Sequence, residues 1–164
     1  MIKKFEIKSH DGPGRIGKLD GNLTPKIFYK NQMKIAPNQG SSYNIDREIA
    51  EFNVKETLRL AKEHVNDADI AVIQGSKYID LRLECMKQLE EIGYNGFIIA
   101  NGDALLTNPR ELVEVVTSLK KESKKSSYFI FSFAELSFMP ILTYMGIDGF
   151  LADSANYYSH LNVL

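Results

Sequence analysis

Polar residues directly follow four short apolar runs of this chain, and their types suit hydrogen bonding or nucleophilic chemistry. They are Gln74, Asn101 with Asp103, Ser132 and Asp153. A glutamine amide both donates and accepts hydrogen bonds, which suits recognition of a nucleobase edge. An aspartate can act as a nucleophile or as a general base. Gly75 and Gly102 stand beside two of these residues, where the missing side chain would let a ligand approach the backbone closely.

Each of these residues also has a purely structural interpretation. A turn that leads from a strand into a helix favours a polar N-cap, so Asn101, Asp103 and Asp153 would often stand there without any reaction to perform. The spacing alone therefore predicts an α/β domain with polar groups along one rim, and it specifies no chemistry.

The four apolar runs are predicted strands, and segments with helical periodicity separate them. The strands are predicted at 70–73, 97–100, 128–132 and 149–152. Asp46 is the predicted N-cap of a first helix, in which apolar residues recur every three or four positions. Further helices are predicted through 81–92, from Asn108, from Ser137 to Met145 and from Ser154.

Two helices carry further signals. The helix that begins at Asn108 has Pro109 at its first position and Glu111 three residues after the cap, which is the form of a capping box. That helix ends in Lys120–Lys125, which could contact phosphate, but a solvated helix end with cations that interact favourably with the helix dipole is the preferred interpretation. In the next helix, Pro140 is tolerable only in the first turn.

Strands that are apolar throughout and are separated by helices belong to a parallel sheet covered on both faces. A complete eight-stranded β/α barrel needs roughly 250 residues, and this chain has 164. We therefore predict the α/β class, as a partial TIM-type β/α barrel of about half the full size. An N-terminal β-hairpin (3–8 and 15–19) precedes it, and residues 1–164 form a single domain. Because a half barrel leaves an open sheet edge, a second protomer or a different subunit is expected to cover it.

Composition narrows the classes of function. The formal net charge is −1, whereas a free-standing tRNA-binding protein normally has a basic excess, so any RNA contact is expected to be local or shared with a partner. The single cysteine, Cys85, excludes an intrachain disulfide and a Cys-rich zinc site. It falls in an apolar helical register and is predicted to be a small buried hydrophobe. No metal site and no cofactor are predicted.

Targeting signals are also missing from the sequence. No run of about 18 apolar residues would span a membrane, and the alternating N-terminus does not resemble a signal peptide. We therefore expect a cytoplasmic protein without membrane contact.

Several segments resemble tRNA-guanine transglycosylases. Residues 74–82, Gln-Gly-Ser-Lys-Tyr-Ile-Asp-Leu-Arg, are similar to the Gln-Gly-Gly-x-Tyr-x-Asp-Leu-Arg segment of that family. Residues 5–7 and 11–19 with Thr24-Pro25 resemble the family's first hairpin, and residues 144–150 and 153–157 resemble the strand that delivers its nucleophilic aspartate. Residues 101–113 look more like the N-terminal, transglycosylase-like domain of archaeosine synthase, because the transglycosylase turn at this place is usually Gly-Gly-rich.

The resemblance implies roles for individual residues. In the family, an aspartate attacks the ribose C1′ while guanine is exchanged for a 7-deazaguanine, and a second aspartate acts as acid/base. Asp153 would take the nucleophile position, and Gln74 and Gly75 would contact the base. Asn101, Gly102 and Asp103 would contribute to the base pocket.

The sequence departs from the family pattern in three ways. Two residues, Leu151 and Ala152, separate Phe150 from Asp153 where the family usually has none. Because a strand advances about 3.3 Å per residue, Asp153 is expected to lie several ångströms from the position of the family's nucleophile. Residues 31–44 contain no Asp or Glu where the family has its acid/base in an Asp-Ser-Gly-Gly-type segment. Asn38–Ser42 there can form hydrogen bonds but cannot shuttle a proton at neutral pH. The sequence given shows no counterpart of the family's Cys/His zinc site or of its C-terminal RNA-binding module.

Three hypotheses follow from the resemblance. The leading one is a front domain or subunit of an archaeosine synthase-like enzyme that acts on 7-cyano-7-deazaguanine in archaeal tRNA through lysine addition to the nitrile. On this hypothesis a separate subunit carries the remaining domains, and the chain alone exchanges no base. The alternative is a non-catalytic scaffold or dimerisation half barrel. A third is a transglycosylase whose partner supplies the acid/base.

Overall fold

The protein contains an antiparallel sheet and a larger parallel sheet, as described by a computed structural model for residues 3–152. The antiparallel sheet has the order β1-β2-β3 and consists of β1 (Phe5–Asp11), β2 (Gly14–Leu19) and β3 (Asn22–Thr24). Its first two strands pair from Phe5 with Leu19 to Asp11 with Gly14, with an irregularity between Ile7 and Ser9. The predicted N-terminal hairpin is therefore confirmed.

The second sheet is five-stranded and parallel, and its order is β4-β8-β7-β6-β5. Its strands are β4 (Lys26–Tyr29), β5 (Ala71–Ile73), β6 (Gly96–Ile99), β7 (Tyr128–Phe131) and β8 (Gly149–Ala152). The four strands predicted from apolar runs are present to within one residue at each end. This confirms an α/β protein with a parallel sheet, and β4 is an additional strand that the sequence did not reveal.

Helices lie between the parallel strands. They are α1 (Arg47–Glu63), α2 (Ile79–Ile92), α3 (Gly102–Leu106), α4 (Pro109–Glu122) and α5 (Met139–Tyr144), with a 3-10 helix at Lys30–Gln32. Pro140 lies in the first turn of α5, as its chemistry requires. Among residues 3–152, no helix is both long and apolar enough to cross a membrane.

The caps differ from the sequence prediction. Asp46 and Asn108 are the N-cap residues of α1 and α4, but neither side chain makes a capping hydrogen bond. The predicted capping box at Asn108 is wrong, because Glu111 accepts a hydrogen bond from the Tyr43 hydroxyl instead. Glu111 thus connects α4 to the loop that precedes α1.

Alternate residues of the parallel strands point to opposite faces of the sheet. Ile73, Ile99 and Phe131 belong to the apolar cluster that packs beneath the helices. The cluster on the other face contains Val72, Ile98 and Ile130 with Leu19 of β2 and Phe28 of β4. The hairpin sheet therefore covers part of the face that the helices leave free.

The segment 26–36 pairs at its start with β8 and near its end with Ile70, the residue that precedes the outer strand β5. Its first part is β4, which pairs with β8 from Lys26 with Gly149 to Tyr29 with Ala152. Further along, Ile35 forms a parallel bridge with Ile70, and the Ala36 amide donates to the Ile70 carbonyl at 2.8 Å. Segment 26–36 thus forms hydrogen bonds with backbone groups of β8 and of Ile70 that a half barrel would otherwise leave unpaired.

A buried ion pair joins the hairpin to the parallel sheet. The Arg15 guanidinium donates from Nε and Nη2 to the two carboxylate oxygens of Asp148, each at 2.7 Å. Asp148 Oδ2 also accepts from the Phe129 amide at 3.0 Å, and Arg15 Nη2 donates to the Ser127 carbonyl at 2.7 Å. Both charges therefore have fixed hydrogen-bond partners, which a buried ion pair requires.

Candidate functional site

The carboxyl ends of the parallel strands bring three of the predicted site residues to one rim. Ile73 pairs with Ile99, and Ile99 pairs with Phe131. Gln74, Asn101 and Ser132 follow these residues by one or two positions and therefore lie at the same end of the sheet. Asp153, the predicted nucleophile, follows β8 directly and lies outside the described residues.

Gln74 is buried at the end of β5 and keeps half of its amide unpaired. The side chain is 3% exposed. Its Nε2 donates to Asn38 Oδ1 at 3.0 Å, whereas its Oε1 is buried and has no hydrogen-bond partner among the described residues. A buried acceptor without a donor costs about 1–3 kcal/mol, so this oxygen would gain from a donor on a ligand.

The loop 38–42, which carries no acidic residue, forms one wall of this rim. Ser41 Oγ lies 2.8 Å from Ser76 Oγ and accepts from Asn53 Nδ2 at 3.0 Å. Ser76 Oγ donates to the Ser42 carbonyl at 2.8 Å. Because a hydroxyl has one proton, Ser41 is the donor in the bond between the two serines. The loop is thereby held in place by side chains of α1 and of the turn after β5.

Asn101 links the same loop to the turn after β6. Its Nδ2 donates to the Ser41 carbonyl at 2.8 Å. The residue has a left-handed backbone, with φ of 62°, which asparagine tolerates better than most residues. The next amide, that of Gly102, donates to Ser132 Oγ at 2.8 Å. Three strand ends and the loop are thus connected by hydrogen bonds.

Arg82, which the sequence analysis did not single out, is the central cation of the rim. Its guanidinium donates to the carbonyls of Ser76 at 2.8 Å and Ala100 at 3.0 Å, and to Asn101 Oδ1 at 3.3 Å. The side chain is 1% exposed, and burial lowers its pKa to about 10. None of the ion pairs found within residues 3–152 includes Arg82. Two features of the sequence could have revealed it: Arg82 ends the family-like segment 74–82, and it lies in helical register with Cys85 and Leu89.

The two glycines of the predicted site are required by packing within the chain. A Cβ on Gly75, whose φ is 144°, would lie 2.6 Å from Arg82 Cγ, and one on Gly102 would lie 2.6 Å from Ser132 Oγ. Each glycine therefore has a structural role that needs no ligand.

Asp103 differs from the other predicted residues. It lies in the first turn of α3 and is exposed. Tyr43, on the loop side, is bonded to Glu111, and burial followed by this bond raises the pKa of its phenol to about 12. At neutral pH the groups of the described rim therefore donate and accept hydrogen bonds but offer no buried carboxylate for proton transfer.

Metal-ligating residues do not gather in this part of the chain. Within residues 3–152, no three His, Cys, Asp or Glu side chains are placed to hold a metal ion together. Cys85 is fully buried in α2, and burial raises the pKa of its thiol to about 12. The described residues thus do not fit the zinc site that the resemblance implies for the family.

Comparison with known proteins assigns the family. The family model described as queuine tRNA-ribosyltransferase matches residues 21–160. The tRNA-guanine(15) transglycosylase of Methanococcus aeolicus is 32% identical to this chain, over 62% of this chain and 18% of that protein. The chain therefore spans less than a fifth of the length of this relative. Since the family model covers both the loop 38–42 and the strand ends 74, 101 and 132, the protein belongs to the tRNA-guanine transglycosylase family.

Proposed function

We propose that this chain is the base-recognising front domain or subunit of an archaeosine synthase-like enzyme acting on 7-cyano-7-deazaguanine in archaeal tRNA. It works in the cytoplasm and receives tRNA through a complex. A separate subunit provides the parts of the enzyme that this chain does not match. The likeness of residues 101–113 to archaeosine synthase motivates the choice within the family.

The unpaired Oε1 of Gln74 carries the proposal. A guanine-like base offers N–H donors on its Watson–Crick edge, and such a donor would satisfy the buried acceptor. Asn38 holds the other half of the amide at 3.0 Å, which fixes the direction in which Oε1 points. Gln74 and Gly75 are therefore the proposed base contacts, with Asn101, Gly102 and Asp103 completing the pocket.

The chemistry of the loop supports binding without base exchange. Glycosidic exchange needs an acid/base near the leaving base. Asn38 and Ser41 occupy the part of the rim that, by the resemblance, belongs to the acid/base segment, and neither changes its charge at neutral pH. Asp153 remains the proposed nucleophile position, and it would act only with an acid/base from elsewhere.

The strand order supports a fold related to a β/α barrel. β5, β6, β7 and β8 are neighbours in sequence order without a reversal, as in a barrel, whereas a doubly wound sheet reverses its order. The pairing of segment 26–36 with β8 and with Ile70, directly before β5, supports the same idea. We propose that the parallel sheet is a partial TIM-type barrel.

A ligand titration tests the base-binding proposal. The melting temperature is followed while 7-cyano-7-deazaguanine, guanine or adenine is added. A base at about 100 times its Kd should stabilise the protein by about 2.7 kcal/mol. We expect a shift with the 7-deazaguanine and none with adenine, and the absence of any shift with the first two bases would contradict the proposal.

The subunit proposal has its own test. Isolation of the protein from its native host should recover a second polypeptide that carries tRNA-modifying domains. Recovery of the chain as a lone monomer would contradict this part of the proposal and leave the base-binding test unaffected.

The second candidate function is a non-catalytic scaffold that binds no base. This function is favoured because polar groups of the rim already form hydrogen bonds within the chain. Ser41 Oγ bonds to Ser76 Oγ, and Asn101 Nδ2 donates to the Ser41 carbonyl. The titration separates the two functions, because a scaffold shows no base-dependent shift.

A further inference from the structure

A basic cleft lies at the amino end of the parallel sheet, away from the candidate base site. Its volume is about 580 Å³, and the turn between β1 and β2 and the C-terminal end of α4 form its walls. The side chains that define it are His10, Arg15, Lys120, Lys121, Lys124 and Lys125. No acidic side chain lines it, and the chain as a whole has a formal net charge of −1. The positive charge is therefore a local feature of this surface.

Lys120 is held in the cleft rather than solvated. Its Nζ lies 5.4 Å from the centre of the Phe129 ring, and a Cβ on Gly146 would come within 2.8 Å of Lys120 Cε. Burial and the neighbouring Arg15 lower the pKa of the ammonium to about 8. The sequence prediction of a solvated helix end is thus wrong for Lys120.

The other three lysines are free to meet a ligand. Lys121, Lys124 and Lys125 are exposed, and none of them takes part in the ion pairs found among residues 3–152. Arg15 is already bonded to Asp148 and forms the floor of the cleft. An anion in the cleft would therefore meet several ammonium groups without first displacing a carboxylate.

We propose that this basic cleft binds the phosphate backbone of the RNA whose base the opposite rim recognises. The inference rests on the proposed function, because it assigns a second contact to the same RNA. Flexible lysine side chains in a row act as point charges and suit a run of phosphates, whereas a single small phosphate is usually held by fixed donors.

The dimensions of the sheet allow both contacts. The strands have four residues or fewer between the two rims, which corresponds to roughly 13 Å at about 3.3 Å per residue. Proteins that recognise double-stranded RNA by its shape contact about 16 base pairs. That length of RNA is greater than the distance between the two rims. One RNA can therefore place a base at one rim and its backbone at the other.

The test compares two double variants in binding to an unmodified tRNA transcript. K121Q/K125Q removes two cleft charges, and K55Q/K62Q removes two exposed charges from α1 as the matched control. Binding is measured by fluorescence anisotropy between about 50 and 200 mM salt. We expect the cleft variant to bind about tenfold more weakly, with a salt slope shallower by about two, while the control stays within about twofold of the unaltered protein.

Equal affinities and slopes for the two variants would overturn the inference. So would an unaltered protein that does not bind the transcript, or a K121Q/K125Q effect on binding to anionic vesicles with RNA binding unchanged. The titration with free bases involves no phosphate and reports on the other rim alone. Failure of the cleft and failure of the proposed function are thus observed separately.

Discussion

Arg82 and Asn101 connect two neighbouring strand ends, with Nη2 of the guanidinium 3.3 Å from Oδ1 of the amide. The same guanidinium binds the Ser76 and Ala100 carbonyls. A helix that follows β5 therefore holds the turn that follows β6. This planar group therefore fixes the position of both turns relative to each other.

Replacing Arg82 by lysine should lower the free energy of unfolding by about 2–3 kcal/mol, because lysine keeps the buried charge but cannot reach three acceptors at once. Urea unfolding at neutral pH measures the loss. Arg110→Lys, on the exposed start of α4, is the control and should change stability by less than about 0.5 kcal/mol. Equal stabilities of the two variants would contradict the role given to Arg82.

Gln74→Met should leave the stability of the ligand-free protein within about 1 kcal/mol, since removal of an unpaired acceptor offsets the lost bond to Asn38. The same variant should lose the melting shift produced by 7-cyano-7-deazaguanine. Gln88→Met, on α2 with its amide bonded to Glu84, should retain that shift. A variant at Gln74 that keeps the full shift would exclude this side chain from base binding.

Gly75→Ala should destabilise the protein by about 3 kcal/mol or more, because the new Cβ would clash with Arg82 and the backbone has a positive φ. Gly40→Ala is the matched control on the neighbouring loop, where a Cβ would meet nothing within 4 Å. There the loss of chain entropy in the unfolded state should stabilise by about 0.4–1 kcal/mol. Thermal melting of both variants gives the comparison.

The pH dependence of stability should reveal Lys120. The pKa of its ammonium is about 8 in the folded protein and 10.5 for an unperturbed lysine, so between these values the unfolded chain binds a proton that the folded chain does not. The free energy of unfolding of the unaltered protein, relative to Lys120→Met, should therefore rise with pH across this window and be constant below it. The contributions of the other titrating groups to the free energy of unfolding cancel in the difference between the two proteins. Parallel curves would contradict the lowered pKa.

Cys85 should be inert to thiol reagents in the native state, since it is fully buried and the pKa of its thiol is raised to about 12. Labelling at about pH 8 should proceed only at the rate of unfolding and be immediate in denaturant. Ser126→Cys, at an exposed position before β7, should react at once in the folded protein. Rapid native labelling of Cys85 would show that α2 opens locally.

Local sequence signals predicted the parts of the fold that local forces decide. Apolar runs marked β5 to β8, and alternation together with turn glycines marked the hairpin. β4 was missed because Lys26–Tyr29 is short, follows a proline and finds its partner near the other end of the described chain. Pairing over such a distance leaves no periodic trace in either segment.

The candidate site was predictable only in part for the same reason. Gln74 and Asn101 stand at strand ends, which the sequence shows. The placement of Asn38 and Ser41 beside them depends on the bridge between Ile35 and Ile70, directly before β5, which the sequence does not show. The buried role of Arg82 also required knowledge of which carbonyls end at the rim. The sheet edge that a half barrel was expected to leave open is partly paired with segment 26–36 of the same chain.

The pairing of β4 with β8 has a consequence for biosynthesis. As the chain leaves the ribosome, β4 is made among the first strands and β8 is the last of those described, so Lys26–Tyr29 must wait without its partner while the intervening strands and helices emerge. We expect β5 to β8 to assemble first and β4 to dock late, because contacts that are distant along the chain form slowly. During that interval the apolar side chains of β4 are exposed, so we expect the nascent chain to be most prone to aggregation before β8 emerges.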